Sequence, residues 1–164
     1  MRAPAAQLSA TPVIDLMEER LRVARNTDRR PTDADRSRVR TLRRTAYERL
    51  TACGLTCLAD DAALIIAELT TNALLHSDGR EITLSLALHD GVLRIDVHDG
   101  ATAPRPRPAP EAPRDDDEHG RGLLLVQSIA EDRDGAWGVS DSGATTWCEL
   151  GLRAQLAPVP GGPA

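Results

Sequence analysis

Two apolar runs that alternate with a period of two constrain this chain more than anything else in it. Ile82, Leu84, Leu86 and Leu88 are interleaved with Thr83, Ser85 and Ala87, and after Asp90-Gly91 a second run carries Leu93, Ile95 and Val97. Such alternation turns one face of an extended strand toward a core, and Asp-Gly suits the left-handed angles of a tight turn. The chain therefore contains a β-hairpin with one apolar face, and other elements must cover that face.

The covering elements are read from the preceding segment. Asp33 or Asp35 can cap a helix that runs through Val39, Leu42, Ala46, Tyr47 and Leu50 and stops near Gly54. A second helix, from Ala59 to about His76, carries a broad apolar stripe that includes Ala63, Ile66, Ala67 and Leu74, with Asp78-Gly79 as its stop signal. Earlier still, Val13, Met17, Leu21 and Ala24 suit a helix, while Arg20 to Arg25 can alternate as a strand; both readings stand. Downstream, Ala101 to Pro113 is dominated by Pro, Ala and Arg and reads as a long exposed loop. Leu123 to Ala130 reads as a short buried helix directly behind Gly120-Arg121-Gly122, and Trp137 to Ser140 with Thr145 to Leu152 as a second hairpin around Asp141-Ser142-Gly143. Strands that arrive as hairpins imply an α+β, two-layer α/β sandwich: a mixed, mostly antiparallel sheet with helices on one face. Residues 1–32 are expected to be a partly disordered extension, 33–153 the domain and 154–164 a disordered tail.

Composition narrows the chemistry. A chain of 164 residues supports one core. With aromatics at 2% and no Phe, that core is built from Leu, Ile, Val and Ala, and only Trp137, Trp147 and Tyr47 supply large rings. The sequence contains no Lys, which excludes a Walker-type phosphate loop and Schiff-base chemistry. Arg is dense between Arg20 and Arg49, yet the net charge is -5 and no aromatic platform accompanies the arginines. No nucleic acid partner is expected, and the Arg-rich helix reads as a solvated face or a docking face for an acidic protein. Cys53, Cys57 and Cys148 form an odd set, and no apolar run is long enough to cross a bilayer. A reduced, cytoplasmic setting without a membrane is expected, with Cys53 and Cys57 as small core residues.

Glu68 and Asn72 lie one helical turn apart within an otherwise apolar stretch, so they project from one face. A carboxylate and a carboxamide so placed can serve a hard cation, or orient a water or hydroxyl. Alone, such a pair is more often the wet edge of a helix. Here it is followed by Asp99-Gly100 at the end of a strand, where the backbone can turn toward a ligand, and by glycines before a helix, whose unpaired N–H groups suit phosphate. His76, His89 and His98 fall on separate elements and read as surface or supporting residues.

These segments resemble, in order and spacing, the Bergerat-fold (GHKL) ATPases shared by sensor histidine kinases, gyrase-type topoisomerases and heat-shock protein 90, and within them the small anti-sigma-factor serine/threonine kinases. "IIAELTTNALLHS" (Ile65 to Ser77) is similar to the N box, "VHDG" (Val97 to Gly100) to the first glycine box, "HGRGLLLVQSIA" (His119 to Ala130) to the second, and "GATTWCEL" (Gly143 to Leu150) to the final strand. The resemblance spans roughly residues 35–152. It implies that ATP and Mg2+ are bound, with Asn72 as metal ligand and Glu68 as the base that polarises the acceptor hydroxyl. It implies that Asp99 accepts a hydrogen bond from the adenine amino group with support from Thr145, beside Gly100, and that Gly120, Arg121, Gly122 and Leu123 lie against the phosphates. Ala101 to Glu118 corresponds to the ATP lid. The stand-alone domain points to a protein kinase that phosphorylates a small antagonist, with a sigma factor and an anti-anti-sigma-type protein as partners and a homodimer left open. The alternative is a nucleotide-binding module that sequesters a transcription factor. Three departures from the family pattern stand out: Ala101-Thr102-Ala103 after Gly100 where a second glycine is usual, a Pro/Arg/Asp-rich lid, and no evident N-terminal strand.

Overall fold

The computed structural model describes residues 12–23, 31–76, 81–101 and 118–152. In chain order the elements are β1 (Ile14–Arg22), α1 (Asp33–Ala52), α2 (Thr56–His76), β2 (Glu81–His89), β3 (Val92–His98), α3 (Glu118–Asp132), β4 (Ala136–Val139) and β5 (Thr145–Gly151). The expected hairpin is β2–β3, with Leu84 opposite Val97, Leu86 opposite Ile95 and Leu88 opposite Leu93. At its turn Asp90 and Gly91 both have positive φ (48° and 73°), the left-handed pair that a two-residue hairpin demands. The second hairpin is also present as β4–β5.

The sheet order is β1-β2-β3-β5-β4, and every pairing is antiparallel, so the sheet is antiparallel throughout and not mixed. Ile82, Leu84, Leu86, Leu93, Ile95, Val97, Cys148 and Leu150 are buried on one face, where the three helices cover them with Leu50, Leu58, Ile65, Ile66, Leu69, Val126 and Ala130. This is the α+β sandwich expected from the hairpins, and its core is aliphatic. Tyr47 is not part of that core; its side chain is exposed on α1.

Several local readings are corrected. The segment after Val13 is an edge strand, β1, so the N-terminal strand missing from the sequence pattern is present and part of the expected extension joins the sheet. A register shift between Asp15 and Met17 breaks the phase of its alternation, and Glu18, Glu19, Arg20 and Arg22 are exposed, so neither period shows cleanly. Helix α1 is capped by Thr32 and not by Asp33 or Asp35: the Asp35 N–H donates to Thr32 Oγ1 (3.1 Å) and the Thr32 N–H to Asp35 Oδ2 (2.9 Å), a reciprocal capping box. Gly54, with φ +79°, ends that helix as expected. Cys53 and Cys57 are exposed, because the chain breaks at Gly54 between them and the helical spacing does not apply. Helix α3 starts at Glu118, so Gly120, Arg121 and Gly122 lie inside it, and only Gly122, Val126 and Ala130 among its described side chains are buried; Leu124 and Leu125 are exposed. The Asp78-Gly79 stop signal, most of the Pro-rich loop with its acidic end, and the two terminal segments lie outside the described residues.

Candidate functional site

Chain direction brings the motif residues to one end of the sandwich. The chain leaves α2 at His76 and enters β2 at Glu81, so the C-terminal end of α2 and the start of β2 share an end. Thr83 pairs with His98 and His98 with Thr145, which places the end of β3 and the start of β5 there too. Asn72 lies one turn before the end of α2, and Glu68 one turn before that.

Helix α3 reaches the same end through Gly122. A Cβ built on Gly122 would overlap the Glu68 carboxylate oxygen and come within 3.2 Å of Glu68 Cδ. Glycine at this position leaves the Glu68 carboxylate in its place, at the roughly 1 kcal/mol that glycine costs in a helix relative to Ala. Because α3 begins at Glu118, the N–H groups of residues 118 to 120 precede its first intrahelical bond, so Gly120 presents a donor, with the positive helix end, beside Glu68. Glu68 and Asn72 are half-buried and Arg121 is exposed; among the described residues none of the three has a hydrogen-bond or ion-pair partner. Leu123 is half-buried and packs against the core.

The Asp99-Gly100 turn is tightly determined. The Asp99 N–H donates to the Ala144 carbonyl at 2.9 Å, and the Ala101 N–H to Asp99 Oδ1 at 2.8 Å. Gly100 has φ +74°, and a Cβ there would overlap the Glu81 carbonyl, so glycine is required for both conformation and space. Thr145 follows Ala144 directly and is anchored by its backbone, whose N–H donates to Ser140 Oγ at 3.1 Å.

The contacts of three residues were not legible in the sequence. Arg133, just past α3, donates to Asp61 Oδ2 at 2.6 Å and to the Cys57 carbonyl at 2.8 Å, which ties the end of α3 to the start of α2. With Gly122 at the other end, α3 is fixed antiparallel to α2 at two points. His98, read only as a surface or supporting residue, accepts the Gly100 N–H through Nδ1 at 3.0 Å; its position two residues before a turn glycine was the available signal. On the uncovered sheet face, Arg94 stacks 4.3 Å above Trp147 and pairs with Asp96 and Glu149. Burial works to lower the Arg94 pKa, but hydrogen bonds to the two carboxylates outweigh it and hold it above the ordinary arginine value.

A groove of about 560 Å³ between α1 and α2 is lined by Arg40, Arg43, Arg44, Tyr47 and Leu64 among others, and contains none of the motif residues. Among the described residues no group of three or more His, Cys, Asp or Glu could hold a metal ion by itself, and no helix is long and apolar enough to cross a membrane.

The antiparallel five-stranded sheet with three helices on one face is consistent with the Bergerat ATPase fold. No curated protein matches the chain significantly. A family model described as the histidine kinase-like ATPase domain matches residues 32–147, well over half of the sequence, and the chain therefore belongs to the histidine kinase-like ATPase domain family.

Proposed function

We propose that the chain is an ATP- and magnesium-dependent serine/threonine protein kinase of the anti-sigma-factor type. ATP binding is what a domain of this family leads one to expect. The observation that carries the finer reading is the seating of the Glu68 carboxylate against Gly122 in the first turns of α3, with Asn72 one turn further along the same helix face. A carboxylate, a carboxamide oxygen and unpaired N–H groups suit a hard cation and phosphate oxygens, so the residues present fit magnesium-bound ATP. The ion, held by Asn72, would neutralise charge across the phosphates. The N–H of Gly120 orients the transferred phosphoryl group, and the Arg121 side chain adds positive charge. Asp99, supported by Thr145, selects adenine by accepting from its amino group. Glu68 takes the proton of the acceptor serine as its oxygen bonds to the γ-phosphorus, and the bond to the departing ADP oxygen breaks.

A small antagonist protein of the anti-anti-sigma type supplies the serine, and a sigma factor is the regulated partner. The arginines of α1 provide a docking face for an acidic protein. A second reading, a nucleotide-binding module that sequesters a transcription factor without phosphotransfer, is favoured by one observation: Thr102 stands two positions after Gly100, where a second glycine is usual. Incubation with labelled ATP, magnesium and candidate antagonists separates the two. The kinase reading expects label on serine that vanishes in Glu68→Ala. Nucleotide binding without transfer across a broad partner screen would favour the sequestering module.

A further inference from the structure

Three consecutive backbone N–H groups fix the turn that carries Asp99. That of Asp99 donates to the Ala144 carbonyl, that of Gly100 to His98 Nδ1 and that of Ala101 to Asp99 Oδ1, at 2.9, 3.0 and 2.8 Å. Of the three acceptors, only the imidazole changes its hydrogen-bonding character between about pH 5 and 8. A ring nitrogen accepts only when it carries no proton, so Nδ1 holds Gly100 in the neutral imidazole with its hydrogen on Nε2. In the imidazolium both nitrogens are donors, and the Gly100 N–H would face another N–H. Gly100 has little room to adjust, since its backbone already lies against the Glu81 carbonyl.

The surroundings leave the imidazole to this task. His98 is exposed at the end of β3, between Thr83 on β2 and Thr145 on β5. Asp96, two residues back on the same strand face, is bonded to Arg94 at 3.0 Å. Glu81, beyond Thr83 on β2, lies 3.9 and 4.0 Å from Arg20 and Arg22 of β1. Asp99 follows directly and receives the Ala101 N–H. Among the described residues none of these carboxylates forms an ion pair with His98.

We propose that His98 is a positioning residue for nucleotide recognition: its neutral imidazole holds the Asp99-Gly100 turn in the conformation that presents the Asp99 carboxylate, and ATP affinity falls as the ring takes up a proton. This role rests on the reading of Asp99 as the adenine-binding residue.

The test is calorimetric titration of ATP with magnesium, from pH 8 to pH 5.5, on wild type, His98→Asn and His98→Ala. Asparagine offers a non-titrating carboxamide oxygen that accepts the N–H two residues on, as in an Asx turn. Titration of the nucleotide itself cancels in the ratio between variants. Wild type and His98→Asn should bind alike at pH 8. Wild type should lose about 2- to 10-fold relative to His98→Asn at the acid end, the worth of one hydrogen bond, and His98→Ala should be weaker by that factor throughout. Without nucleotide, the Gly100 amide NMR shift should change with pH in wild type and not in His98→Asn. Parallel pH profiles for wild type and His98→Asn, or a Gly100 amide indifferent to the imidazole, would overturn the positioning role alone. Absence of ATP binding by wild type at every pH would overturn the nucleotide reading and this role with it.

Discussion

At the end of the sandwich where α3 runs into β4, Arg133 and the nearby main chain are bonded within the protein; where α3 begins, three side chains of the candidate site have no partner among the described residues. At the closed end Arg133 is bonded to Asp61 and the Cys57 carbonyl, the Gly135 N–H to the Ala130 carbonyl (2.8 Å) and the Gly151 N–H to the Arg133 carbonyl (2.9 Å). At the open end Glu68, Asn72 and Arg121 have no partners among the described residues. The glycines differ in the same sense. A Cβ on Gly135 would overlap the Glu149 main-chain carbonyl and lie 2.8 Å from its carbon, whereas one on Gly122 would strike only the Glu68 side chain. Backbone cannot yield and a side chain can, so the first glycine serves folding and the second serves the position of one carboxylate.

Substitutions at the two ends should therefore separate stability from activity. The largest effect is expected for Gly135→Ala. With main chain on both sides of the new methyl, chemical denaturation should show a loss of about 3 kcal/mol, the upper part of the usual overpacking range. A variant as stable as wild type would break the closed-end account. Arg133→Ala should follow at about 2 kcal/mol, since it removes a charge-assisted bond to Asp61, in which both side chains are only about a quarter exposed, and an exposed carbonyl contact. Gly122→Ala should behave in the opposite way. Its denaturation midpoint should hold or rise, by up to about 1 kcal/mol from helix propensity, while phosphotransfer falls roughly tenfold or more as Glu68 is pushed aside. Equal loss of stability and activity would erase the distinction between the ends. The smallest effect concerns thiols: Cys53 and Cys57 are exposed, whereas burial pushes the Cys148 thiol up to about 12. A thiol reagent at pH 8 should modify the first two in the native protein, count two by mass spectrometry, and reach Cys148 only on unfolding.

What was legible follows from the range of the interactions involved. The β2–β3 hairpin and the apolar stripe of α2 are set by local periodicity, which a sequence displays directly, and Glu68 and Asn72 stood out because they interrupt that stripe. Strand β1 was ambiguous because its register shift breaks the alternation and its outer positions are charged. The start of α3 was misplaced because Gly120 and Gly122 look like helix breakers in sequence; the reason Gly122 is tolerated, the approach of Glu68, is a tertiary contact 54 positions away in the chain. Arg133 was passed over, and the contact of His98 missed, for the same reason: the first acts through Asp61 on another helix, and the second through a ring nitrogen whose role depends on turn geometry. Asp35 shows the same limit at short range, since it supports a cap that belongs to Thr32.

The claim on which the rest depends is that the open end binds ATP through magnesium held at Asn72. Calorimetric titration with ATP, with and without magnesium, on wild type and Asn72→Ala tests it most directly. Wild type should bind with measurable heat only when magnesium is present, and Asn72→Ala should lose that binding while its denaturation midpoint stays within about 0.5 kcal/mol of wild type, as for a surface polar change. No heat from wild type in either condition, or magnesium-dependent binding by Asn72→Ala equal to that of wild type, would contradict the account.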